Sequence, residues 1–94
     1  MVKIMKVVWT DTAISKLKDI IVYIKERNCE AAYNLRQKLI DASKSLAKFP
    51  LSGRRGLING TYELVTRSPY ILIYVVNGST LSIVNIIHAS QQYP

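Results

Sequence analysis

The chain has 94 residues, of which 49% are hydrophobic and 20% are charged. This composition excludes a disordered, collagenous or low-complexity chain, and the length predicts a single domain over residues 1–94. Lysine and arginine number 13 against 6 acidic residues, a formal net charge of +7. The expected partner is therefore a polyanion or an acidic protein.

Cysteine and histidine counts limit the chemistry that this chain can perform. Cys29 is the only cysteine and His88 the only histidine, so a disulfide framework is excluded and we expect neither a metal site nor a cofactor. No apolar run approaches the ~18 residues of a membrane span. The segment from Val2 to Trp9 is too short and too interrupted for a signal peptide. The sequence thus predicts a soluble, cytoplasmic protein with no membrane partner.

The first half of the chain predicts one strand and two helices. Residues 4–9 are rich in β-branched side chains, which is typical of a strand. Thr10 or Asp11 can cap a helix that carries apolar residues at helical spacing and should end near Arg27-Asn28. A second helix is expected from about Glu30. Because only a few residues separate the helices, they should form an antiparallel hairpin.

The second half predicts a loop followed by three strands. Pro50 ends the second helix, and the glycines and polar residues of 51–60 exclude regular structure over most of that loop. A tight hairpin turn is expected at Asn77-Gly78, where both residues tolerate a positive φ. The predicted strands are residues 61–66, 70–76 and 81–87. The order β-α-α-β-β-β defines an α+β fold in which the helical hairpin packs on a mainly antiparallel four-stranded sheet.

The strand at 70–76 is apolar on both faces, although two helices can cover only one face of a sheet. The two faces carry Ile71, Ile73 and Val75 on one side and Tyr70, Leu72, Tyr74 and Val76 on the other. The uncovered face would present an apolar, tyrosine-rich patch, which is typical of an interaction site. The alternative is that the 51–60 loop and the C-terminal tail cover it.

Arginines and the C-terminal tail supply the candidate functional groups. Arg54 and Arg55 are adjacent in a glycine-flanked loop, where they could bind phosphate or carboxylate, or only keep the loop soluble. His88 ends the last strand and is either a hydrogen-bonded structural residue or a catalyst. Tyr93 could stack on a base or pack on the sheet. The chain has no P-loop, dinucleotide-binding or HExxH motif.

Several short motifs follow one another in a distinctive order and spacing. They are Val8-Trp9, Ala31-Ala32, Phe49-Pro50, Gly53-Arg54, Gly60 to Val65, Pro69 to Val76, and an ending from Ile83 that reads His-Ala-x-x-x-aromatic-Pro. Together they span almost the whole chain and resemble the ParE/RelE superfamily of bacterial type II toxin–antitoxin (plasmid-stabilisation) toxins, most closely its ParE branch. The resemblance implies the same β-α-α-β-β-β core and a small antitoxin that wraps the toxin in a hetero-oligomer.

The resemblance leaves two activities open. Members similar to RelE cleave mRNA in the ribosome, whereas members similar to ParE bind and poison DNA gyrase. Tyr62 stands where many relatives have an arginine, and Ser90 and Gln91 where many have tail arginines. Cleavage needs cations to stabilise the extra charge of the transition state. The expected function is therefore gyrase inhibition and growth arrest by binding, without catalysis.

The resemblance also yields two sets of expected contact residues. Target contact is expected at Arg54, Arg55, Arg67, His88, Gln91 and Tyr93. Antitoxin contact is expected across the helical hairpin and the apolar sheet surface, at Leu17, Ile21, Leu35, Leu39, Tyr70, Leu72 and Tyr74.

Two alternatives to the gyrase hypothesis remain. In a ribosome-dependent endoribonuclease, Arg67 would stabilise the scissile phosphate, and His88 or Tyr93 would assist proton transfer. The other alternative is an inactive toxin that survives as a partner of the antitoxin or of a repressor complex.

Overall fold

The computed structural model describes residues 4–91. Its two helices follow the first strand and precede the other strands, as the α+β prediction requires. The elements are β1 (Lys6–Trp9), α1 (Asp11–Lys25), α2 (Cys29–Lys48), β2 (Arg54–Arg55), β3 (Tyr62–Val65), β4 (Tyr70–Asn77) and β5 (Thr80–His88). The fold class is confirmed. The described sheet has five strands and not four, because two residues of the predicted loop pair with β3 as β2. No helix within residues 4–91 is long and apolar enough to cross a membrane.

The sheet is mixed, in the order β1-β5-β4-β3-β2. The first strand runs parallel to β5, and the other neighbours are antiparallel. A β-bulge shifts the β4–β5 register, so that Ile73 pairs with Asn85 while Tyr74 pairs with Ile83. Val84 is the extra residue on β5. Because the bulge interrupts the two-residue alternation, both Ile83 and Ile86 face the helices although they are three residues apart.

Side-chain oxygens cap both helices. The Thr10 hydroxyl accepts a hydrogen bond from the Ala13 amide at 3.2 Å and donates to the Ile83 carbonyl at 3.1 Å, which ties α1 to the sheet. Asn28 caps α2 by accepting from the Ala31 amide at 3.0 Å. Helix α1 ends at Lys25, close to the predicted end near Arg27-Asn28, and Asn28 has an extended φ of −160°.

The turn between β4 and β5 lies one residue further along than predicted. Asn77 and Thr80 form the last strand pair, so the two-residue loop is Gly78-Ser79. Gly78 has φ of 61°, and no described residue other than glycine has a positive φ. These are features of a type II′ turn, which needs a positive φ only at its first central position.

One face of the sheet, the helix-covered face, forms the main core. Leu72, Tyr74, Leu81, Ile83 and Ile86 are fully buried there against the two helices. Each such side chain contributes roughly 1.5–3 kcal/mol relative to an exposed one. The side of β4 that carries Tyr70 and Tyr74 therefore faces the helical hairpin and belongs to the core.

The opposite face, called the open face below, carries Ile71, Ile73 and Ile87, with Val84 packed against them. No helix within residues 4–91 covers this face, yet the three isoleucines are only 5%, 5% and 7% exposed. The prediction of an exposed, tyrosine-rich patch is therefore wrong. Residues of the 51–60 loop and of the tail instead border these isoleucines.

Candidate functional site

A groove of about 490 Å³ lies on the open face, between the 51–60 loop and the start of the tail. Its lining consists of Arg54, Arg55, Leu57, Glu63, Ile71, Ile87, Ala89 and Gln91. The aliphatic side chains come from the centre of the sheet, whereas the polar ones come from the edge strand and the tail. The open-face groove is bordered by three of the predicted target-contact residues, Arg54, Arg55 and Gln91. Arg54 pairs with Glu63 on the open face, whereas Arg55 pairs with Tyr62, so its side chain leaves the edge strand on the helix-covered side.

Glu63 is the one charged residue buried within residues 4–91, at 4% exposure. It pairs in register with Arg54, whose Nε donates to its Oε1 at 2.8 Å. A buried carboxylate is costly unless it is paired and hydrogen-bonded, so this contact fixes Arg54 beside the groove. Arg55 forms no salt bridge with any described residue. Of the two loop arginines, Arg55 is thus the one with an uncompensated charge.

Tyr74 anchors the segment that leads into β2. Its buried ring stacks on Tyr62, with centroids 5.5 Å apart. Its hydroxyl donates to the Pro50 carbonyl at 2.8 Å and accepts from the Gly53 amide at 3.1 Å. Burial raises the pKa of Tyr74 above 10.0, so the phenol stays protonated and can donate.

Gly53 is required by this close approach. A Cβ at position 53 would lie 2.6 Å from the Tyr74 hydroxyl and 2.7 Å from the Glu63 carbonyl. The sequence did not predict that Tyr74, Gly53 and Glu63 would hold this loop in place. The feature that could have pointed to Glu63 is a carboxylate within an otherwise apolar predicted strand.

The C-terminal tail turns back over the end of β5. The His88 amide donates to Gln91 Oε1 at 2.7 Å, which brings Gln91 to the groove. The His88 ring lies edge-on to Tyr70, with centroids 5.2 Å apart. Its Nδ1 accepts from the Ser90 amide at 3.1 Å, so the proton of the neutral ring is on Nε2. Tyr93 lies outside the described residues.

Arg67 and His88 do not join Arg54 and Arg55. Arg67 is exposed and borders grooves beside α2 together with Lys38. His88 pairs in register with Tyr70, on the helix-covered face. The predicted target-contact residues are therefore divided between two sides of the sheet.

Four of the residues predicted to contact an antitoxin belong to the core. Leu39, Leu72 and Tyr74 have no exposed surface, and Leu35 is only 8% exposed. A partner cannot reach them in this fold, because they pack against one another between the helical hairpin and the sheet. The other three, Leu17, Ile21 and Tyr70, are half-buried.

Other apolar side chains are exposed instead. On the hairpin they are Ile14, Val22, Tyr23 and Tyr33, and between α2 and β3 they are Phe49, Leu51, Leu57 and Ile58. The Arg27 guanidinium lies 3.8 Å from the centroid of the Tyr23 ring. The hairpin thus offers an outer apolar surface that differs from its inner, core-forming stripe.

The described residues contain no group of three histidine, cysteine or acidic side chains that could hold a metal ion. The chemistry of the open-face groove therefore consists of hydrogen-bond donors, one buried carboxylate and an aliphatic floor.

Comparisons with known proteins agree with one another. Residues 7–93 match the family model of the ParE toxin of the type II toxin–antitoxin system parDE. A putative toxin, Y4kP, of Sinorhizobium fredii is 37% identical over 92% of this chain and 90% of its own length. Toxin RelE2 of Caulobacter vibrioides is 38% identical over 92% of this chain and 97% of its own length.

A solved structure has the same fold. A chain of the chromosomal ParDE toxin–antitoxin system from P. aeruginosa superposes with a TM-score of 0.82, at 23% identity, over 92% of this chain and 97% of that one. Fold and family thus define a type II toxin–antitoxin toxin. The chain belongs to the ParE toxin family, as its sequence motifs predicted.

Proposed function

We propose that this ParE-family toxin arrests growth by binding DNA gyrase in the bacterial cytoplasm, and that a small antitoxin neutralises it in a hetero-oligomer. The observation that carries this proposal is the division of its basic residues. Arg54 is compensated by Glu63, while Arg67 and His88 lie away from the open-face groove. Among the described residues, these groups do not converge on a single phosphate.

Cleavage of RNA would require such convergence. A phosphoryl-transfer site places cations around the phosphate and a proton donor or acceptor within hydrogen-bond reach of the reacting oxygens. His88 Nδ1 is already engaged by Ser90, and its ring packs on Tyr70. The arrangement supports a binding surface over a ribonuclease centre. The open-face groove, with Arg54 and Gln91 on it and Arg55 at the adjoining sheet edge, is the proposed place of target contact.

The antitoxin is proposed to lie on the outer side of the helical hairpin. The exposed residues Val22, Tyr23 and Tyr33 offer it apolar surface there, next to half-buried Leu17 and Ile21. Exposed apolar side chains in such numbers favour a protein partner. Tyr23→Ala with Tyr33→Ala should weaken capture of the toxin by its co-expressed antitoxin.

Supercoiling by purified gyrase tests the proposal. Excess toxin should inhibit the reaction, and Arg55→Gln should reduce that inhibition by about tenfold, because a charge-assisted contact is lost. Arg36→Gln is the matched control, since Arg36 is an exposed arginine on α2. Gyrase that stays fully active in excess toxin would refute the proposal.

The ribonuclease alternative has its own test. Arg67→Ala combined with His88→Ala removes the two described groups assigned to it. We expect growth arrest to persist in this double variant. Loss of arrest together with loss of mRNA cleavage, in a variant that is still folded, would favour the ribonuclease.

A further inference from the structure

We propose that a cleft beside α2 binds a nucleoside monophosphate, with Lys38 and Arg67 holding its phosphate. The cleft, called the α2 cleft below, has a volume of about 420 Å³, which lies within the range of small-molecule pockets. Its walls are one flank of α2 and the connection between β3 and β4. It lies on the helix-covered side of the sheet, away from the open-face groove. The inference therefore goes beyond the proposed function and does not depend on it.

The α2 cleft carries two positive charges. Lys38 and Arg67 line it, and no carboxylate is among the described residues that line it. Both cations are exposed, and neither forms a salt bridge with a described residue. A phosphate monoester carries a charge of about −1.5 to −2 at neutral pH, whereas a carboxylate or a phosphodiester carries a single negative charge. The charge of the cleft thus matches a monoester best.

The connection between β3 and β4 fixes the backbone that carries Arg67. The Thr66 hydroxyl donates to the Tyr70 carbonyl at 2.7 Å and accepts from the Ser68 amide at 3.2 Å. The Ser68 hydroxyl lies 2.7 Å from that of Thr66 and accepts from the Tyr70 amide at 3.2 Å. This turn is ordered before any ligand arrives, so that less entropy is lost when Arg67 binds an anion.

The rest of the α2 cleft fits a nucleobase. Asn34 and Lys38 are four residues apart on α2 and therefore lie on the same flank of the helix. The Asn34 amide can donate to and accept from the edge of a base. Tyr70 is half-buried and lines the cleft, and bases stack on such rings. Ile24 and Leu35 add apolar surface. A ring, an amide and two cations together match a nucleotide.

An adjoining cleft argues against a longer strand. It shares Lys38 and Arg67 with the α2 cleft, but Asp41 also lines it. The carboxylate of Asp41 would repel a second phosphate placed there. The expected ligand is therefore a single nucleotide.

Titration of the isotope-labelled toxin, followed by nuclear magnetic resonance, tests this inference. The probe is adenosine monophosphate. It should shift the methyl resonances of Ile24 and Leu35 in a saturable way, whereas those of Ile71 and Ile87 on the open face should not respond. Adenosine lacks the phosphate and ribose 5-phosphate lacks the base, so each should bind at least about tenfold more weakly.

Variants of the two cations test which groups hold the phosphate. Lys38→Gln and Arg67→Gln should each weaken binding of adenosine monophosphate about tenfold, because a charge-assisted contact is lost. Arg36→Gln is the matched control and should leave binding unchanged. Arg36 is exposed and lies two residues from Lys38, which places it roughly 200° around the helix from that residue.

Several results would overturn the inference. They are no saturable shift up to about 1 mM nucleotide, equal binding of adenosine or ribose 5-phosphate, and equal weakening by the Arg36 variant. Equal binding of the acidic aromatic peptide acetyl-Phe-Glu would point to a protein ligand instead, and tighter binding of an oligoadenylate would point to a strand. None of these measurements involves gyrase, so their failure would leave the proposed function in place.

Discussion

The helix-covered face and the open face of the sheet bury similar aliphatic side chains by different means. Leu72 and Ile86 lie under two helices and have no exposed surface. Ile71 and Ile87, one residue away on the same strands, are bordered by a loop, an ion pair and the tail. A helical cover leaves no room for a ligand, whereas a loop cover leaves a groove with a charged rim. The helix-covered side thus contains most of the buried core, and the open side contains the groove proposed for target contact.

Tyr74 connects the two sides. Its ring belongs to the core under the helices, and its hydroxyl holds the chain at Pro50 and Gly53, next to the arginines of β2. Changes at this connection and at the Arg54–Glu63 pair should therefore affect both stability and the groove. A change at exposed Arg55, which has no acidic partner among the described residues, should leave stability nearly unchanged.

Gly53→Ala should have the largest effect on this connection. Its Cβ would meet the Tyr74 hydroxyl at 2.6 Å and the Glu63 carbonyl at 2.7 Å, and the backbone contact cannot be relieved by a side-chain rotation. We expect a loss of about 3 kcal/mol in the free energy of unfolding, measured in urea. Gly60→Ala is the control. It lies in open space at a φ of 84° and should lose about 1 kcal/mol. Equal losses in the Gly53→Ala and Gly60→Ala variants would show that the close approach of Tyr74 and Glu63 to Gly53 does not contribute.

Arg54→Gln should come next, because it leaves the Glu63 carboxylate buried without a charged partner. We expect a loss of about 2 kcal/mol, less than for a fully buried pair, since the Arg54 side chain is 62% exposed. Adding Glu63→Gln should restore most of that stability, as a double-mutant cycle would show. If the second change destabilises the chain further, Glu63 is not held by Arg54.

Tyr74→Phe should lose about 1 kcal/mol, because the Pro50 carbonyl and the Gly53 amide lose their partner. The loss should depend on pH in a known direction. Burial raises the pKa of Tyr74 in the folded state above 10.0, so the stabilising effect of its neutral form is complete below pH 10 and is lost as pH rises through the folded-state pKa. The stability gap between wild type and the variant should therefore narrow above pH 10. A gap that widens there would be inconsistent with this cause.

Arg55→Gln should have the smallest effect on stability, within about 0.5 kcal/mol, because Arg55 is exposed and has no acidic partner among the described residues. Its effect should appear in target binding instead. A large loss of stability in thermal unfolding would show that Arg55 supports the fold and would remove it from the proposed contact surface.

The sequence was informative where patterns are local. Thr10 has the side chain of a helix cap, and the alternation along residues 70–76 identified a strand with two apolar faces. Alternation states which residues share a face, but not which face the helices cover. That is why Leu72 and Tyr74 were assigned to a partner surface and lie in the core.

The site depends on registers that no local pattern encodes. Two residues are too few to show strand periodicity, so β2 was predicted as loop, and the pairing of Arg54 with Glu63 could not be foreseen. The division of Arg67 from Arg54 follows from the position of the β3–β4 connection beside α2. Family membership was predictable because it rests on the order of short motifs over the whole chain.

Pulse labelling after induction of the toxin alone would show whether it acts on a target of DNA metabolism, as proposed. DNA synthesis should stop first, with an SOS response, while protein synthesis continues. Early arrest of protein synthesis with cleaved mRNA would refute the gyrase proposal.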